Sequence, residues 1–219
     1  MERHILVVLP HPDDEAFGLS GTLSKHIQNG TKVTYACLTL GEMGRNMGTA
    51  PFANRVTLPQ IRKKELEASC RVIGIQDLRT LGFHDKTLEF EDQYKLEGSI
   101  LEIIKEINPS LVITFYPGYA VHPDHDATGA AVISTIRKMP AEQRPKVHCL
   151  AFSKNCEQFI GKPDLLNNVK DFLHIKKQSI ESHRTQFYAP EILGGNAWED
   201  PEVQERFGTE RFWTYNFNQ

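Results

Sequence analysis

Nothing in this 219-residue sequence supplies a membrane span, a disulfide framework or a polyanion-binding surface. Cysteine is scarce: Cys37, Cys70, Cys149 and Cys156 stand alone, none in a C-x-x-C pair, so a reducing setting is expected. Basic residues form no run, and 25 Lys and Arg against 28 Asp and Glu leave a net charge of −3, so neither nucleic acid nor a membrane surface is expected as a partner. With 15 Gly and 12 Pro, 40% hydrophobic and 24% charged residues, the chain lacks the composition of a collagen, a disordered tail or a membrane protein. The apolar stretch Ile5 to Pro10 is too short for a signal-peptide core and is assigned to the fold, with a cytoplasmic location expected. Length fits one domain over residues 1–219, and the oligomeric state, a homo-oligomer included, is left open.

What the sequence does have is alternation. Ile5-Leu6-Val7-Val8-Leu9 is an unbroken, β-branched-rich run, the mark of a strand covered on both faces. Lys32 to Leu40, Leu111 to Phe115 and Val147 to Phe152 read alike. Between them, helical spacing runs over Glu15 to Asn29, Pro59 to Ile73, Gln93 to Ile107 and Asp124 to Lys138, with Gly or Pro at the stops. The expected fold is α/β: a Rossmann-like, mostly parallel sheet with helices on both faces. Such sheets take ligands beyond the carboxyl ends of their strands, which directs attention to the residues after Leu9 and after Phe115. A helix over Ile175 to Phe187, a loop over Ala189 to Asp200 and a closing strand over Arg211 to Phe217 complete the expectation. The aperiodic stretch Gly41 to Leu58 has a length that is commonly functional.

Both strand ends open into the same tripeptide. His11-Pro12-Asp13-Asp14-Glu15 follows the first and His122-Pro123-Asp124-His125-Asp126 follows the other, and two His-Pro-Asp triplets are far more than the composition would supply by chance. Imidazole nitrogen and carboxylate oxygen suit a catalytic divalent metal, Zn²⁺ above all. His122 and His125 are three apart at a helix start, with Pro123 at its first position, so both rings can face one side. Asp13 and Asp14 are adjacent and diverge, so that one can hold a metal while the other addresses water. Glu15 reads as a first-turn acid complementing the helix dipole. Helix capping alone would account for Asp13 or Asp14 and for Asp124, but poorly for both motifs at corresponding strand ends. Gly41, Gly44 and Gly48 follow the second strand rather than the first and do not spell G-x-G-x-x-G, which excludes NAD.

The paired motifs resemble those of the PIG-L/LmbE-like N-acetylglucosamine deacetylases, zinc-dependent enzymes on a Rossmann-like fold. The similarity extends to Gly41-Glu42, to Arg62, Glu65, Ala68 and Gly74, to Leu81-Gly82 before Asp85, and to Lys177, His183 and Gln186. Carried over residue by residue, the resemblance implies His11, Asp14 and His125 as ligands of Zn²⁺, with Fe²⁺ as the alternative ion. It implies Asp13 as general base, a protonated His122 facing the developing oxyanion, and Asp124 orienting His122. It further implies Arg62 as a substrate-binding residue and Asp85 as a contact to sugar hydroxyls. Within the family, Gly41 to Gly48 and Glu210-Arg211-Phe212 resemble the branch serving bacillithiol biosynthesis, which implies N-acetylglucosaminyl-malate as the small-molecule substrate. Its malate carboxylates call for cations, and Arg62 and Arg45 are nearest by chain position.

The expected activity is metal-dependent hydrolysis of a linear amide, releasing acetate from an N-acetylated amino sugar. Two other classes use overlapping residues. Fe(II) oxygenases employ a 2-His-1-carboxylate triad, but have no use for a spare carboxylate, Asp13, suited to moving a water proton. A non-catalytic sugar-binding protein would have no reason to keep both Asp13 and His122.

Overall fold

The computed structural model describes residues 2–187 and 197–218. At its centre lies β1 (His4–Leu9), flanked by β2 (Lys32–Cys37) and β4 (Leu111–Phe115), and every residue of β1 from Ile5 onward is buried. Ile5, Val7 and Leu9 pack with Leu19, Leu23 and Leu66 on one face of the sheet, while Leu6 and Val8 pack with Leu96, Ile100 and Val132 on the other. The unbroken apolar run is thus the consequence of two covered faces.

The first face is covered by α2 (Ser20–Gln28) and α3 (Leu58–Ile73), the second by α4 (Gln93–Ile107) and α5 (Pro123–Arg137). With β3 (Asp77–Thr80), β5 (Lys146–Leu150), β6 (Leu165–Asn168) and β7 (Thr209–Thr214), the strands form one seven-stranded sheet in the order β3-β2-β1-β4-β5-β7-β6. β1 to β5 pair in parallel, and β7 runs antiparallel to both β5 and β6. The Rossmann-like expectation holds, with an antiparallel edge added.

One feature of the register makes the site. β1 pairs with β2 as far as Leu9↔Cys37, and β4 pairs with β5 as far as Phe115↔Leu150. β1 and β4 pair with each other only over Ile5–Val7 and Leu111–Ile113. The two central strands therefore part at their carboxyl ends, and both His-Pro-Asp motifs open into the gap.

The expected helix Glu15 to Asn29 is broken at Leu19 into α1 (Asp14–Gly18) and α2. The break gives α2 its own amino terminus, where Gly21 N–H and Thr22 N–H donate to the buried Glu210 carboxylate at 3.0 and 2.7 Å. Lys176 Nζ neutralises Glu210 at 2.6 Å and donates to the Phe17 carbonyl at 2.7 Å. The Glu210-Arg211-Phe212 signature is thereby a structural one: a buried helix cap and a core side chain. The expected helix Ile175 to Phe187 is α7 (Leu173–Ser182), and the closing strand is β7. α6 (Cys156–Ile160) and α8 (Pro201–Phe207) were not expected. Most of the loop expected over Ala189 to Asp200 lies outside the described residues; its end, Ala197–Glu199, is a short 3-10 turn. Among the described residues no helix is long and apolar enough to cross a membrane.

Candidate active site

Three donor groups meet where β1 and β4 part. His11 Nδ1 lies 3.2 Å from His125 Nε2 and 3.6 Å from Asp14 Oδ2, and His125 Nε2 lies 3.2 Å from Asp14 Oδ1. The other nitrogen of each ring decides which lone pairs are free. His11 Nε2 faces Asp85 Oδ1 at 3.1 Å and Asp124 Oδ2 at 3.2 Å, both acceptors, so it carries a proton. His125 Nδ1 faces the Ala120 carbonyl at 3.1 Å and carries one too. In the neutral rings, His11 Nδ1 and His125 Nε2 are lone pairs aimed at each other, an arrangement that needs a cation between them. Tetrahedral ligands about 2.0–2.1 Å from Zn²⁺ stand roughly 3.3 Å apart, and these donors are already at that spacing. The Phe115 ring lies flat on His125, with centroids 4.0 Å apart and planes 4° from parallel.

Without an ion, a proton takes its place. Burial opposes charging His11, but hydrogen bonds to Asp124 and Asp85 push it up to about 10. Burial would raise Asp14, yet His125 and His11 hold it down at about 2. The donor set thus keeps an anion beside two imidazoles, as a metal site requires.

Two carboxylates brace His11. Asp124 meets His122 through its backbone and not through its carboxylate: Oδ2 serves His11, and the two oxygens accept from Lys86 N–H at 2.7 Å and Leu88 N–H at 3.2 Å. His122 instead caps α5, its Nδ1 accepting from Asp124 N–H at 3.2 Å. Its Nε2 is therefore the protonated nitrogen, a donor rather than a ligand, although His122, His11 and His125 have nitrogens within 4.8 Å of one another. Burial and the charges of His11 and His125 hold the His122 pKa below its usual value. Asp85 is buried, with Oδ1 on His11 and Oδ2 accepting from Met43 N–H at 2.8 Å. It braces His11 and the Gly41 loop and lines the cavity, where its remaining lone pairs face the space a sugar hydroxyl would occupy.

Asp13 has a left-handed backbone, φ 98° and ψ −26°, which is costly for a non-glycine residue. Arg62 Nη2 reaches its Oδ2 at 2.8 Å and also donates to the Pro12 carbonyl, while Nη1 donates to the Gly41 carbonyl at 2.9 Å. Gly41 is obligatory here: its φ is 64°, and a Cβ would stand 1.7 Å from Arg62 Nη1. Arg62, expected as a substrate-binding residue, is a buried partner of Asp13 that also lines the cavity. It does not pair with Glu65, whose carboxylate accepts from Thr185 N–H at 2.7 Å and Thr185 Oγ1 at 2.6 Å. Burial pushes the Asp13 carboxyl up to about 6 against the pull of Arg62, into the range of a base that works near neutral pH.

Glu15 stands in the first turn of α1 as expected, but its partners were not foreseen. It is fully buried, accepting from Asp13 N–H at 3.1 Å, from His183 Nε2–H at 2.7 Å and from Ser69 Oγ. Its partner His183 is 168 residues away, so no local signal marks the pair.

His11, Asp13, Asp14, Arg62, Asp85, His122 and His125 line an open cavity of about 350 Å³, with Met43, Gly44, Arg45, Lys86 and Gln186 at its edge. Arg45 and Lys86 are exposed and, among the described residues, make no ion pair. Tyr119 packs near Tyr116 and Phe159, at 5.7 and 6.3 Å between centroids, and does not line the cavity.

The sequence pattern of the PIG-L family, described as GlcNAc-PI de-N-acetylase, matches residues 6–136. A protein of Bacillus cereus described as probable N-acetyl-alpha-D-glucosaminyl L-malate deacetylase 2 is 49% identical over 219 residues, spanning 99% of this chain and 100% of its own. The protein of the same description from Bacillus subtilis (strain 168) is 46% identical over 223 residues, spanning 100% of both. Among solved structures, N,N'-diacetylchitobiose deacetylase from Pyrococcus horikoshii in complex with its inhibitor MPG matches with a TM-score of 0.76 over 99% of this chain and 85% of that one. At 23% identity this likeness concerns the fold.

Proposed function

Because the chain belongs to the PIG-L (GlcNAc-PI de-N-acetylase) family and is an N-deacetylase, we propose that it removes acetate from N-acetylglucosaminyl-malate in bacillithiol biosynthesis. The observation that carries the reading is the convergence of His11 Nδ1, His125 Nε2 and the Asp14 carboxylate beside Asp13 in one open cavity. Membership in a deacetylase family leaves no place for the oxygenase and sugar-binding alternatives.

His11, Asp14 and His125 would hold the catalytic ion, Zn²⁺ in this reading. When bound, Zn²⁺ supplies Lewis acidity and lowers the pKa of a coordinated water to about 7. Asp13 accepts the proton of the attacking water, its Oδ2 anchored on Arg62 and its other oxygen free to receive it. As the acetyl carbon becomes tetrahedral, His122 Nε2–H donates to the oxyanion, a contribution of about 3 kcal/mol for a well-aimed donor. The C–N bond then breaks, Asp13 returns its proton to the departing amine, and acetate is left.

The malate carboxylates are met by Arg45 and Lys86 at the cavity edge, since the charge of Arg62 is taken up by Asp13. We place the reaction in the cytosol, in keeping with four buried, unpaired cysteines. The test is acetate release from a panel of N-acetylglucosaminyl compounds with added Zn²⁺, Fe²⁺ or chelator. Release from the malate glycoside that chelator abolishes and Zn²⁺ restores is the expected result; equal rates with every aglycone would refute the malate assignment.

A further inference from the structure

The peptide group joining Pro12 to Asp13 is held at both of its polar atoms by buried charged side chains. Arg62 donates to its carbonyl, and Glu15 Oε2 accepts from its N–H at 3.1 Å. The tilt of that peptide plane is what φ of Asp13 measures, and at 98° it lies in a region that a non-glycine residue leaves unless held. Arg62 also grips the Asp13 carboxylate and so belongs to the site itself. Glu15 does not line the cavity. Its other contacts face inward: His183 Nε2–H donates to Oε1 at 2.7 Å, as does Ser69 Oγ, which shares a hydrogen bond of 2.7 Å with Ser179 Oγ.

A first-turn acid complements a helix dipole perfectly well from the surface, and α1 has only five residues. Burying Glu15 and His183 completely is a costly way to serve so short a helix. What the burial does accomplish is rigidity, because the donors come from α3, from the residue after α7 and from the site, and together they leave the carboxylate one orientation.

We propose that Glu15, locked by His183 and Ser69, is a positioning residue for the general base: by accepting the Asp13 N–H it sets the peptide plane and thereby the direction in which the Asp13 carboxylate enters the cavity. The inference rests on Asp13 acting as the base. A glutamine at position 15 keeps the shape but must turn its amide nitrogen toward one of the three donors, which frees either the Asp13 peptide or the His183 lock.

The experiment is Glu15→Gln, alone and combined with Asp13→Asn. Expected are full metal content, KM changed by less than about twofold and kcat lower by roughly 10- to 100-fold, the scale of a small misplacement of a catalytic group. In the Asp13→Asn background the same substitution should cost nothing further, since the two act as one unit. Independently of activity, hydrogen exchange at the Asp13 amide should accelerate about tenfold or more while the amides of β1 are unchanged. An equal loss of kcat in both backgrounds, or an Asp13 amide that stays protected, overturns the proposal. If the parent protein released no acetate from any N-acetylglucosaminyl compound, the deacetylase mechanism would fall, and the exchange result would still decide whether Glu15 holds the peptide. Should Glu15→Gln not fold, His183→Ala is expected to reproduce the kcat loss and His183→Gln, which restores a donor, to recover it; equal activity of those two overturns the lock.

Discussion

His11 donates through Nε2 to the fully buried carboxylate of Asp124 at 3.2 Å, across 113 residues of chain. That contact fixes which nitrogen of His11 is left for a metal. Asp124→Asn is therefore expected to lower Zn²⁺ affinity by roughly 10- to 100-fold, the usual consequence of losing such an outer partner. Competition against a chromophoric chelator measures it, and unaltered affinity would mean that His11 is oriented by Asp85 alone.

The proton that stands in for the ion should be released when the ion binds. The metal-free His11 pKa is raised to about 10, so at neutral pH an entering metal displaces roughly one proton. Calorimetry in buffers of different ionisation enthalpy should show it, and affinity should climb with pH up to about 10. The sign for the metal-free fold is opposite. Charged His11 contributes stability that is fully present below its unfolded pKa of about 6.5 and is lost as pH rises through about 10. Buffer-independent binding heats would contradict both statements.

Ligands and chemistry should separate on mutation. His125→Ala is expected to lose stoichiometric metal, whereas Asp13→Asn and His122→Ala keep it and lose kcat by about 10²-fold or more. Elemental analysis beside turnover reads both. Full metal in His125→Ala, or near-normal turnover in Asp13→Asn, would reassign the roles.

Arg45 offers the cleanest test of the acidic aglycone, since it is exposed at the cavity edge and carries no structural hydrogen bond among the described residues. Arg45→Met should lower kcat/KM for N-acetylglucosaminyl-malate about tenfold or more, mostly through KM, and leave an uncharged N-acetylglucosaminide nearly unaffected. A constant ratio between the two substrates would remove Arg45 from recognition.

The central strands were legible because burial on both faces writes itself as an unbroken apolar run, and the two motifs were legible because they repeat. β3 was not, since Asp77–Thr80 is only partly buried and three of its four residues are polar. The break at Leu19 was hidden because the carboxylate that caps α2 beyond it, Glu210, arrives from the other end of the chain. The same holds for Asp124 and Asp85, whose service to His11 depends on a strand crossing that spacing along the sequence does not encode. Arg62 was expected as a substrate-binding cation; only the fold shows Asp13 and the Gly41 carbonyl waiting for it.

The short pairing between β1 and β4 leaves the sheet as two panels, β3-β2-β1 and β4-β5-β7-β6, hinged along three residue pairs. His11 and Asp14 stand on one panel, and His125 stands on the helix that follows the first strand of the other. An ion held by all three would be a rivet at the open end of that hinge, placed where backbone hydrogen bonds have stopped. Its binding energy would then be shared between preparing the chemistry and tying the ends of the two central strands together.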